Sequence, residues 1–154
     1  MSYEDLITQF GAQYGIEGLE SRGGAAALII DGMKIEIISD EAADCAIIYA
    51  EIGHPSPTSG GKFGETMLKA NHLFLGTSGG TLCQNPDTDA YALMRPVPLA
   101  RLESAEAFGA ILEDVLSQVE NWRQVLAGMR EAESAEVAQQ EEAAMLASGG
   151  FMQV

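Results

Sequence analysis

The feature that most constrains this chain is the dipeptide Asp31-Gly32, set between two apolar runs, Ala25 to Ile30 and Met33 to Ile38. A two-residue loop between strands favours the primed turn types, whose central residues need positive φ, and Asp-Gly meets that need at little steric cost. The segment is therefore read as an antiparallel hairpin with a type I′ turn. Pairing Ile30 with Met33 sets Leu28 opposite Ile35 and Ala26 opposite Ile37 on one face. That face belongs to a core. The other face sets Ile29 opposite Lys34 and Ala27 opposite Glu36, and Ile29 and Ile38 on it have no assigned burial partner.

The flanking segments extend this hairpin into an α+β fold. Ser2 with Asp5 three residues on is a capping-box start, and Tyr3, Leu6, Ile7, Phe10 and Tyr14 recur at helical spacing. They predict a first helix over Tyr3 to Tyr14, stopped by Gly15. Cys45 to Ile52 reads as a third strand, apolar on both faces, in which Ala46, Ile48, Ala50 and Ile52 alternate with Cys45, Ile47, Tyr49 and Glu51. Gly53 to Lys62 is rich in Pro and Gly and reads as a loop before a short helix near Phe63 to Asn71. Leu73-Phe74-Leu75 reads as extended. Turn formers from Asn85 to Asp89 join Thr81 to Gln84 with Ala90 to Arg95 in a second hairpin, and Pro96 and Pro98 end the sheet.

Ser104 then opens a long helix in which Phe108, Leu112, Val115, Val119, Trp122, Leu126 and Met129 step by four and three, a stripe that must be buried. From Glu131 onward, glutamates without a base and many alanines predict a helical extension that frays into a flexible tail. The expected division is one domain over residues 1–128 and an acidic, Ala-rich extension over residues 129–154.

Charge narrows the function classes. Eight Lys and Arg against 23 Asp and Glu leave a formal charge of -15. Such a surface repels phosphate backbones and anionic lipids within a Debye length, so no nucleic acid and no membrane is expected as a partner. A hydrophobic fraction of 47% is too high for general disorder, which puts the acidity on the surface of a folded body. The first residues lack a secretory signal and no stretch approaches a membrane span, so the expected location is cytoplasmic.

Motifs for chemistry fail on inspection. Ser59-Gly60-Gly61-Lys62 is not a phosphate loop, because Ser56 stands where the first glycine belongs and Phe63 where Ser or Thr belongs. His54 and His72 have no ligand-forming spacing, and no Gly-x-Ser-x-Gly elbow occurs. Cys45 and Cys83 lie far apart in apolar runs and read as reduced core thiols. No catalytic residue, cofactor or metal is expected, and the chain is not read as an enzyme.

What remains is surplus apolar surface. Three helices cover about one face of a five-stranded sheet, which leaves Ile29, Ile38, Ile47 and Tyr49 on the other. Either the first helix covers them or a partner or a second subunit does. Met67, Leu68, Leu75, Leu82 and Leu93 also offer more apolar surface than a short helix and hairpin bury alone, and they mark an expected homodimer interface.

Several local patterns follow one another in a telling order. They are Phe10-Gly11 and Tyr14-Gly15, Leu68-Lys69-Ala70-Asn71, Gly76 through Leu82, Asn85-Pro86-Asp87-Thr88-Asp89, Val97-Pro98-Leu99, and Glu120-Asn121-Trp122-Arg123. Over about Tyr3 to Leu126 the chain resembles the class I type III secretion chaperones, the Tir-chaperone (CesT-like) family. The resemblance implies a helix-strand-strand-strand-helix-strand-strand-helix order with a twisted antiparallel sheet, and a homodimer. It further implies a bacterial cytoplasmic protein without catalysis that holds the N-terminal segment of a secreted effector in extended form until export. The chain departs from that pattern in the Gly53 to Lys62 loop and beyond Gly128. A small-molecule-binding or catalytic α/β domain, and a dimeric adaptor unrelated to secretion, are the other readings open at this point.

Overall fold

A computed structural model of the chain describes residues 2–56 and 60–149. The Asp31-Gly32 turn forms with φ of 49° and 73°, both left-handed as a type I′ turn requires. Strand β1 (Ala25–Ile30) pairs with β2 (Met33–Asp40) in the expected register, Ile30 to Met33, Leu28 to Ile35 and Ala26 to Ile37. Strand β3 (Cys45–Gly53) lies between β2 and β5 (Tyr91–Pro98), and β4 (Thr81–Gln84) completes an antiparallel sheet of order β1-β2-β3-β5-β4.

All three helices pack on one face of this sheet. Helix α1 (Tyr3–Tyr14) carries the capping box: the Asp5 N–H donates to Ser2 Oγ at 3.1 Å, and the Ser2 N–H donates to the Asp5 carboxylate at 3.4 Å. Helix α3 (Ala105–Gly149) starts where Ser104 Oγ accepts the Ala107 N–H at 3.1 Å. Its stripe from Phe108 to Leu126 is buried, each large side chain adding roughly 1.5–3 kcal/mol of transfer free energy. The α1 side chain Phe10 meets Phe108 edge-on at 4.8 Å, while Phe63 of α2 (Gly60–Asn71) approaches Tyr91 at 4.7 Å and Trp122 at 6.1 Å. A bulge between Glu51 and Gly53 brings the glycine beneath α3, where a Cβ would lie 3.0 Å from Leu126.

The element order is the α+β order read from the sequence, with local corrections. Leu73-Phe74-Leu75 is not extended: His72–Phe74 form a short 3-10 turn in which Leu73 and Phe74 take φ of 52° and 56°. The cause is a clamp. Asn71 Nδ2 donates to the Leu82 carbonyl at 3.0 Å and its Oδ1 accepts the Leu82 N–H at 2.8 Å, while the Gly76 N–H returns to the Ala70 carbonyl at 3.1 Å. The residues between have to reverse the chain rather than extend it. Pro96 and Pro98 lie inside β5 instead of ending the sheet, because β4 stops opposite Met94 and leaves that half of β5 an edge.

Helix α2 begins at Gly60, ahead of Phe63. Helix α3 continues to Gly149 through the stretch where the sequence predicts fraying. Arg130 donates to the His54 carbonyl, and Lys62 Nζ reaches Glu136 at 3.6 Å, so the start of the extension is tied back to the segment before α2 and to the first turn of α2. The end of the stretch over 129–154, residues 150–154, where the sequence predicts a flexible tail, lies outside the described residues.

Candidate functional site

The face of the sheet turned away from the helices carries all four residues read as partner-binding. Cross-strand pairing brings Ile38, Ile47 and Pro96 into one row and Glu36, Tyr49 and Met94 into the next, with Ile29 beside Lys34 at the far edge. Helix α1 does not cover them. Its buried side chains Tyr3, Leu6, Ile7 and Phe10 join the core formed by Leu28, Ile35 and Ile37 on the opposite face. Ile29 is accordingly 76% exposed and Ile38 exposed, while Ile47 is half-buried. Tyr49 is buried, its hydroxyl accepting a hydrogen bond from Asn85 Nδ2 at 3.2 Å. Lys34, held by Glu36 at 3.0 Å and Glu51 at 3.4 Å, separates Ile29 from Tyr49. The four residues share a face but form no single apolar patch.

A second feature adjoins Ile29. Ala25 exchanges both backbone hydrogen bonds with Arg22, outside the sheet, at 3.2 and 2.8 Å. In an antiparallel ladder alternate residues direct both backbone groups to the same side, so Ala27 and Ile29 also aim their N–H and C=O groups outward. Neither finds a partner among the described residues. A trough of about 600 Å³, floored by Ile16, Leu19 and Ile30, runs along this open edge.

The trough continues through Ile16 and Ile30 into an apolar groove of about 250 Å³ between α1 and α3, walled by Phe10, Tyr14, Leu112 and Leu116. Tyr14 leans on the Phe10 ring at 4.7 Å and lies across Gly109, where a Cβ would meet its hydroxyl. A cavity of roughly 150 Å³ holds a benzene ring, so this groove has room for a large apolar side chain. The sequence reading did not include the groove. Ile16, apolar but outside every assigned stripe, and Gly109 beside Phe108 are its sequence signals, while Ile30 reads as part of the hairpin's core face.

On the other side of the molecule, the residues read as a dimer interface divide into two groups. Met67, Leu82 and Leu93 point into the protein's own core. Leu68 and Leu75 stand outside it, 73% and 80% exposed, and with exposed Leu73 and Phe74 they form a continuous apolar stretch at the end of α2.

Among the described residues no group of three or more His, Cys, Asp or Glu is placed to hold a metal, and no helix is long and apolar enough to cross a membrane. Burial pushes the thiols of Cys45 and Cys83 up, away from the thiolate form a nucleophile needs. An exposed sheet edge with an adjoining side-chain groove is instead the arrangement that accepts an extended peptide as an added strand.

Comparison with known proteins places this geometry. Residues 5–123 match the family described as the Tir chaperone protein (CesT) family. One solved structure with a similar fold is described as the structure of the HopA1-SchA chaperone-effector complex. It has a TM-score of 0.66 and 16% sequence identity, over 79% of this chain and 93% of that one. Another, the crystal structure of the ExsC-ExsE complex, has a TM-score of 0.69 and 17% identity, over 82% of this chain and 97% of that one. No curated protein matches the chain in sequence.

Proposed function

We propose that this chain, which belongs to the Tir chaperone protein (CesT) family, is a type III secretion chaperone that holds the N-terminal segment of an effector in extended form. The segment adds as a strand to the open edge of β1 and seats an apolar side chain in the groove between α1 and α3. The observation that carries this reading is the outward-facing, unpaired backbone of Ala27 and Ile29 beside that groove. Main-chain bonds supply affinity on such an edge, and the groove supplies selection. The face with Ile29, Ile38, Ile47 and Tyr49 adjoins the edge and receives the part of the segment that wraps beyond it. The described solved complexes, each pairing a chaperone-like fold with a second protein, agree with this use of the fold.

The working form is a homodimer joined through Leu68 and Leu75 with their neighbours Leu73 and Phe74, over the buried layer of Met67, Leu82 and Leu93. Charge supports this placement. Between residues 55 and 85 the chain has two lysines against one glutamate, in a protein of net charge -15, so two copies meet there with the least repulsion. The reading assigns no catalysis and places the protein in the bacterial cytoplasm, where an effector waits before export.

Co-expression with the N-terminal segment of a secreted protein encoded beside this chain tests the proposal. A stable complex with a dimer of the chain is the expected result. A monomeric chain that captures none of its neighbouring secreted proteins would overturn it.

A further inference from the structure

The trough and groove carry a charge pattern that says more about the segment they accept. Three carboxylates rim them, Glu17 and Asp31 on the trough and Glu113 on the groove, and no lysine or arginine is among the lining residues. All three side chains are exposed, and none makes an ion pair or a side-chain hydrogen bond among the described residues. Nearby bases are already engaged. Arg22 is paired with Glu20 at 3.5 Å, and Lys34 with Glu36 and Glu51 on the sheet face. Asp114, the neighbour of Glu113 on α3, is matched by Arg95, which leaves Glu113 as the uncompensated charge at the groove.

We propose that the groove selects a polypeptide segment in which a large apolar residue is flanked by lysine or arginine, with Glu113 as the residue that sets this preference and Glu17 and Asp31 extending it along the edge. The inference rests on the strand-addition reading above and specifies the chemistry of the segment. The apolar side chain fills the groove, and the bases beside it, projecting at its mouth, meet carboxylates that have no other partner among the described residues. Placing the pairs beside an apolar wall reduces the screening that makes exposed ion pairs weak, and it disfavours acidic segments by repulsion.

The test uses the full-length chain and three fluorescent peptides of about twelve residues with one alternating Ser/Val frame and a central leucine. They carry lysine, serine or glutamate on both sides of that leucine. The lysine peptide is expected to bind about tenfold more tightly than the glutamate peptide at low salt, a gap that narrows as salt is raised. Glu113→Gln is expected to weaken lysine-peptide binding about threefold and leave the serine peptide unchanged, while Glu142→Gln, the same charge change on the distant extension of α3, alters neither. If Glu113→Gln and Glu142→Gln behave alike, the preference is a property of net charge and the proposal is overturned. Equal binding of all three peptides overturns the charge rule and leaves strand addition standing. No binding by any of the three removes both.

Discussion

The β1 edge and the end of α2 are both apolar and both exposed, yet they differ in what surrounds the apolar atoms. At β1 the exposed side chain Ile29 comes with outward-facing backbone groups that pair with none of the described residues, and with carboxylates. At α2 the leucines sit on helix and turn whose backbone is bonded internally, in the least acidic stretch of the chain. The first surface offers direction and register to an extended segment. The second offers only area, and area without directional bonds suits a rigid, symmetric contact with another copy. Exposed apolar residues therefore do not define a kind of partner by themselves; the backbone and the charges around them do.

The largest expected effect comes from removing the core side chain that backs Phe10, a wall of the groove. Phe108 is fully buried against Phe10, and Phe108→Ala should cost about 3–5 kcal/mol in urea unfolding. It should loosen the groove while leaving the α2 surface intact until the whole domain unfolds. Leu75→Asp acts on the other region. Burying that carboxylate in a dimer contact should weaken association by about 3 kcal/mol or more, so that light scattering reads one chain instead of two. The monomer should unfold at the same urea concentration as the wild-type monomer, because Leu75 is 80% exposed.

A smaller effect separates the helix that walls the groove from the rest. Tyr3 anchors α1 to β2, its hydroxyl donating to the Ile37 carbonyl at 2.6 Å, and burial, aided by Glu4, pushes its phenol up to about 12. A phenol with a higher pKa in the folded chain adds stability that is fully present below the unfolded value near 10 and is lost as pH rises through 12. This contribution is on the order of 2 kcal/mol. Tyr3→Phe should lower stability by about 1 kcal/mol at neutral pH and flatten the decline between about pH 10 and 12. The smallest change in stability belongs to Ile29→Asp, within about 0.5 kcal/mol of wild type, together with loss of effector capture in co-purification. A large loss of stability instead would contradict the exposure of Ile29.

How much of this was readable beforehand follows the range of the interactions. The Asp31-Gly32 hairpin and its register rest on neighbouring residues, and the α3 stripe repeats a period, so both were legible. The turn at Leu73 and Phe74 was not, because three apolar residues look extended until Asn71 is known to grip Leu82 eleven positions away. The prolines of β5 were misread for a similar reason, since an edge is a property of the sheet and not of the strand. The groove needs Phe10, Ile30 and Leu112 together, residues that no local pattern joins. The outer face was legible as a surplus, but its division by Lys34, Glu36 and Glu51 depends on cross-strand placement.

The most direct test of the central claim is amide hydrogen exchange, resolved by residue, on the full chain with and without a bound effector segment. Strand addition at β1 predicts that the Ala27 and Ile29 amides, open in the free protein, slow by at least about tenfold on binding. The Ala25 amide, already bonded to Arg22, should change little. Unchanged exchange at Ala27 and Ile29 in a complex that protects β4 or the α2 surface instead would contradict the account.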